Sequence, residues 1–82
     1  MEAIVEQVKE IVANAIDLEV GEFGNDEHLY NDLGADSVIG FEIITKLQKK
    51  FGVTIDTKDA PTIMTVNKMV ELVNAKMATA SN

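Results

Sequence analysis

The sequence predicts an all-α fold: a small four-helix bundle of three longer helices and one short one, with a long loop between the first and second helices. Three observations carry this. Apolar residues recur at three- and four-residue spacing toward both ends of the chain. In the middle, a serine and a glycine bracket an apolar run, as helix start and stop signals do. No alternating stretch is long enough for a strand, since "VTI", Val53 to Ile55, alternates over too few residues.

The first helix is expected over residues 3–16. Ile4, Val8, Ile11, Val12 and Ala15 fall on one face, with Glu6, Lys9 and Glu10 elsewhere on the wheel. Asp17 to Asp36 then form a long connection rich in Gly, Asn and acids. Connections of that length inside compact domains are uncommon and often functional. Leu18, Val20, Phe23 and Leu29 are expected to pin it to the core. The second helix should run from Ser37, a good N-cap residue, to about Phe51, with Gly52 as its stop. A short turn follows near Thr57 to Thr62, where Pro61 prevents a long helix. The last helix should start near Thr65, a second cap, with an apolar stripe of Val66, Met69, Val70, Val73 and Met77. Residues 1–77 thus read as the helical domain. Residues 78–82, the end of "MATASN", read as a flexible tail.

One domain of 82 residues supports only about 4–12 kcal/mol of net stability. That leaves little room for a deep catalytic pocket with its own supports. The chain has no cysteine, so disulfide frameworks, thiolate–zinc sites and cysteine nucleophiles are excluded. Thiol chemistry here would need an added cofactor. Glu2, Glu6 and Glu10 at the start are unlike the basic start of a signal peptide. No apolar run approaches membrane-spanning length, so no membrane insertion is expected.

The net charge is −7 and unevenly placed. Residues 1–45 hold eleven carboxylates and one lysine, whereas residues 46–82 hold three carboxylates and six lysines. Nucleic acid needs a basic face and is not an expected partner. The acidic half suits a basic protein partner, or serves only to keep a small domain in solution.

The second helix has too many apolar residues for one buried stripe. Gly40, Ile43, Ile44, Leu47 and Phe51 make one face, leaving Val38, Ile39 and Phe41 over near its start. Such a surplus reads as an exposed patch for another protein, or as a helix buried on two sides. Gly40 costs about 1 kcal/mol relative to alanine inside a helix, so its missing side chain should leave space or permit close approach. Ser37 has two readings. It is a helix cap, with Asp36 adding favourable charge, or it is an exposed hydroxyl able to accept a phosphate at a helix N-terminus. Nothing near it forms a triad, and no catalytic residue is expected. His28, the only histidine, reads as a solvated loop residue. "NDEHLYNDLGAD", Asn25 to Asp36, has the composition of a calcium loop but not its ligand register, and no metal site is expected.

"DLGADSV" followed by an amphipathic helix resembles the phosphopantetheine attachment motif of acyl carrier proteins. The resemblance spans nearly the whole chain. It takes in the first helix, the long loop with Leu29, Phe51, and the approach to the last helix through Thr62, Ile63, Thr65 and Val66. It implies that Ser37 is esterified with 4′-phosphopantetheine, donated from coenzyme A by a phosphopantetheinyl transferase. The arm's thiol would carry acyl groups as thioesters to ketosynthase and acyltransferase-type enzymes of fatty-acid or polyketide biosynthesis. The domain itself would catalyse nothing, and a cytoplasmic monomer is expected. The resemblance puts Asp36, Val38, Phe41 and Glu42 at partner docking. It lines an acyl cavity with Ile43, Leu47, Ala60, Ile63 and Leu72, with Gly40 at its mouth. Burying eight carbons there would gain roughly 5–6 kcal/mol before reorganisation, enough to hide a chain and little enough for a partner to reverse.

The sequence departs from the family pattern in three ways. Lys46, Lys49 and Lys50 stand on the second half of a helix that is strongly acidic in bacterial fatty-acid carriers. Val38 replaces a commoner Leu or Met, and Ile39 stands where relatives often have a polar residue. These departures make a dedicated carrier for polyketide or another specialised acyl pathway a serious alternative to general fatty-acid synthesis. Two other readings stay open. One is a small helical adaptor in which Ser37 is only a cap; the other is a peptidyl carrier.

Overall fold

The computed structural model describes residues 3–80, except the side chains of Thr57, Ala60, Thr62, Thr79 and Ala80. Three α-helices carry the fold: α1, Ile4–Ile16; α2, Ser37–Phe51; and α3, Val66–Ala80. Two short 3-10 helices, Val20–Glu22 and Thr57–Thr62, interrupt the connections. There is no strand among the described residues. The expected short fourth helix is therefore a 3-10 helix, with Pro61 inside it. Proline lacks the N–H that an α-helix would use at that position.

α1 buries Val8, Val12 and Ala13. It ends where Asp17 adopts a left-handed conformation and its N–H reaches the Ala13 carbonyl. The following connection is not free chain. Glu19 and Glu22 cap the first 3-10 helix reciprocally, each side chain accepting from the other's backbone N–H. Phe23 and Leu29 are buried and Leu18 packs against the core, as expected of them. Val20, expected to be an anchor, is exposed instead, because the 3-10 turn leaves it on the outer side. Lys9 Nζ lies 5.0 Å from the centroid of the Phe23 ring, a cation–π contact that ties α1 to the loop. Two backbone hydrogen bonds tie the loop to the approach to α3: Leu29 N–H to the Met64 carbonyl (2.8 Å) and Asn67 N–H to the Asn25 carbonyl (3.1 Å).

α2 stops at Gly52, whose φ of 65° lies in the left-handed region that glycine adopts without cost. Val53 and Ile55 are both buried while Thr54 is exposed, so the alternation in "VTI" is an extended turn with two inward side chains. The Gln48 side-chain oxygen accepts the Ile55 N–H at 2.8 Å, taking the place of a neighbouring strand. The Thr57–Thr62 segment is held to α3 by the Asp59–Lys76 ion pair at 3.5 Å.

α3 begins as expected, with Thr65 Oγ1 accepting the Lys68 N–H at 3.1 Å. Val66, Met69 and Val73 are buried and Val70 is half-buried. Met77 is exposed, since α3 has by then run past the core. The helix continues to Ala80, into the stretch read from sequence as a tail; Ser81 and Asn82 lie outside the described residues. α1 packs against both α2 and α3, whereas α2 and α3 touch each other far less. Beside α2 and facing α3, the loop therefore borders a hollow.

Candidate functional site

The start of α2 assigns the capping role to one residue. Asp36 stands outside the helix with extended backbone, φ −117° and ψ −178°, and its Oδ1 accepts the Ile39 N–H at 3.0 Å. Asp36 is the N-cap and Ser37 is the first helical residue, which corrects the expectation that Ser37 caps α2. Both residue types cap well, and the chain uses the earlier one. Ser37 is exposed, and its hydroxyl makes no hydrogen bond among the described residues. We expect Asp36→Ala to cost about 1 kcal/mol, the usual loss for a removed cap, read as a lower midpoint in urea unfolding. An unchanged midpoint would mean that the Asp36 bond contributes nothing.

Val38 and Phe41 project to solvent, 72% and 56% exposed. They form the patch that the surplus of apolar residues implied. Ile39 is half-buried and packs against the core, so it does not belong to that patch. Glu42 is exposed and pairs with Lys46 at 3.3 Å. Lys49 and Lys50 are exposed in the last turn of α2.

An open-sided cavity of about 430 Å³ lies beside Ser37. Its walls come from the loop (His28, Leu29, Tyr30), from α2 (Gly40, Ile43, Ile44) and from Pro61, Ile63, Met64 and Met69. Ser37 and Phe41 stand at its rim. Of the residues placed at an acyl cavity from sequence, Gly40, Ile43 and Ile63 line this one. Leu47 is fully buried in the core beyond it. Leu72 is half-buried and borders a separate shallow hollow with Ile63, Lys68 and Glu71. The Ala60 side chain lies outside the described residues.

Two polar residues of the cavity, Tyr30 and His28, were not among those expected there. Tyr30, the only tyrosine, explains Gly40: a Cβ at position 40 would stand 2.6 Å from the Tyr30 hydroxyl. The missing side chain makes room for a phenol. A glycine in a buried helical face, in a chain with one tyrosine, is the signal that could have found it. His28 is half-buried rather than solvated. Its Nδ1 accepts the N–H groups of Tyr30 (3.2 Å) and Asn31 (3.1 Å), and its own N–H donates to Asp32 Oδ2 at 2.7 Å. The ring meets Tyr30 edge-on, with centroids 6.0 Å apart. His28 thus shapes the turn that delivers Tyr30 to Gly40. Among the described residues, no group of three or more potential ligands is arranged to hold a metal ion.

The arrangement offers an exposed, uncommitted hydroxyl at the positive end of a 15-residue helix, beside an apolar hollow and an apolar patch. A phosphate ester fits the first feature, because a helix start leaves backbone N–H groups unpaired. Comparison with known proteins agrees with this chemistry. The family pattern described as "Phosphopantetheine attachment site" matches residues 6–73. "Polyketide-8 synthase acyl carrier protein 2" of Streptomyces avermitilis is 33% identical over 72 residues, covering 88% of this chain and 83% of that protein. The NMR structure of the HMG-ACPI domain from the CurA module of Lyngbya majuscula has the same fold, with a TM-score of 0.78. The two share 19% identity, over 94% of this chain and 78% of that one.

Proposed function

Because the chain belongs to the acyl carrier protein family, whose members bear a covalent 4′-phosphopantetheine, we propose that Ser37 is the residue esterified by that arm. The protein is a carrier for polyketide or fatty-acid synthesis. The observation that supports Ser37 is the division of labour at the start of α2. Asp36 performs the capping, so the Ser37 hydroxyl has no structural task. The adaptor reading required Ser37 to be the cap and loses that support.

When attached, the arm supplies a terminal thiol that holds acyl groups as thioesters. The chain's own residues do the rest. The amides of Ser37 and Val38, left without intrahelical partners at a helix start, favour the phosphate. The cavity walls of Ile43, Ile63 and Met69 offer an acyl chain cover from water. Asp36, Val38, Phe41 and Glu42 are the residues we assign to docking of the phosphopantetheinyl transferase and of ketosynthase and acyltransferase-type enzymes. We read the Thr57–Thr62 segment as the short fourth element of the bundle, and the chain as a cytoplasmic monomer. No helix among the described residues is long and apolar enough to cross a membrane. Incubation with coenzyme A and a broad-specificity transferase tests the reading: intact mass should rise by one phosphopantetheine. A chain left unmodified by several transferases would overturn it.

The acyl type is preferred to a peptidyl carrier, and the specialised pathway to general fatty-acid synthesis, on the polyketide relative and on charge. The Glu42–Lys46 pair neutralises the one acid in the first two turns of α2, and Lys49 and Lys50 make its second half basic. Toward a ketosynthase with a basic docking surface, these lysines meet like charge and slow encounter. Replacing all three by glutamate should therefore raise elongation by such an enzyme about ten-fold at low salt, with the gain shrinking as salt is added. If wild type serves that enzyme as well as the enzyme's own carrier does, the lysines are helix-end charges only.

A further inference from the structure

The cavity beside Ser37 is apolar except at three lining side chains, His28, Tyr30 and Ser37. In the carrier reading the Ser37 oxygen is taken up by the phosphate ester, which leaves two. His28 Nδ1 accepts two backbone amides, so the ring proton resides on Nε2, a donor. The Tyr30 hydroxyl makes no hydrogen bond among the described residues. Yet its position is closely set. The Tyr30 N–H is held by His28, its ring rests against the His28 ring, and its oxygen occupies the space a Gly40 side chain would need. Gly40 lies three residues after Ser37, hence on the same side of α2. The phenol therefore stands beside α2 about one turn along from the attachment point, on a residue that is 37% exposed.

We propose that Tyr30, backed by His28, tunes this cavity for acyl chains bearing a keto or hydroxyl group near the thioester, in preference to fully reduced chains of the same length. The inference rests on the carrier reading. A reduced chain entering the cavity covers the phenol and strips its water without giving it a partner. A chain with an oxygen near the thioester accepts from the Tyr30 O–H or the His28 Nε2–H, and so leaves one donor fewer unpaired. Sites that hold a hydrogen-bonding group discriminate strongly against the analogue lacking its partner, whereas purely apolar sites discriminate weakly.

The test loads the protein from octanoyl- and β-hydroxyoctanoyl-coenzyme A and first checks by intact mass that one acyl-phosphopantetheine is carried. Cleavage of each thioester by hydroxylamine is then timed and divided by the rate for the same acyl group on free pantetheine. The hydroxylated chain should be protected better, by a factor on the order of five, the worth of one neutral hydrogen bond. Tyr30→Phe should bring the two chains together, and Gly40→Ala, which displaces the phenol, should do the same. Equal protection in wild type, better protection of octanoate, or a preference that survives Tyr30→Phe would each overturn the proposal. Failure to load appears in the mass spectrum beforehand and overturns the carrier reading together with it.

Discussion

Ser37→Ala should abolish the gain of phosphopantetheine mass while leaving the fold intact. This is the largest functional effect expected of any single substitution here, and its structural silence is part of the expectation. The helix start keeps its cap, because the bond to the Ile39 N–H comes from Asp36. The exposed hydroxyl makes no hydrogen bond among the described residues, so its loss should change stability by no more than about 0.5 kcal/mol. In a domain of this size that is a shift of at most about 2–4 °C in melting temperature. Modification of the variant to the wild-type extent would place the arm elsewhere. A melting temperature that fell as far as that of a core truncation would return the capping role to the serine.

Phe41→Ala and Leu47→Ala, two truncations on α2 six positions apart, should separate function from stability. Leu47 is completely buried, and its truncation should cost about 2–5 kcal/mol, a large part of the about 4–12 kcal/mol available to the domain. Phe41 is 56% exposed, so its truncation should cost far less. If it anchors partner enzymes, its loss should weaken their binding by about 2 kcal/mol, roughly thirty-fold, as central aromatic contacts do. Urea unfolding reads the first quantity, and transfer kinetics with a partner read the second. A Phe41→Ala protein as unstable as Leu47→Ala would make Phe41 a core residue. One that transfers normally would remove the patch from docking.

The helices were legible because each carries local punctuation. Thr65 caps α3 and Gly52 closes α2, as their residue types indicated. The outward position of Val38 and Phe41 followed from simple excess, since one buried stripe cannot hold them. The one-residue slip at Asp36 and Ser37 arose because both are good caps and adjacent, and only backbone angles separate them. What stayed hidden was nonlocal. The reason for Gly40 is a tyrosine ten positions earlier, and no periodicity links a loop residue to a helix face. His28 read as solvated because its partners are the backbone amides of its own turn, and amides leave no mark in a sequence. The cavity reaches Gly40, Ile43 and Ile63 but not Leu47 or Leu72, a limit set by packing rather than by residue type.

The two backbone bonds from the loop to the approach to α3 have a mechanical consequence. Leu29 and Asn25 are fastened to Met64 and Asn67, so the two segments act as a single jaw. α2 is the opposing jaw, and α1, packed against both α2 and α3, is the hinge block behind them. A bulkier cargo cannot spread the fastened jaw without breaking main-chain bonds. We expect it to be admitted by α2 tilting on α1. Loading a long chain should therefore leave hydrogen exchange at the Leu29 amide slow while speeding it along the first turns of α2. Fast exchange at Leu29 in the loaded protein would mean that the fastened jaw is the one that yields.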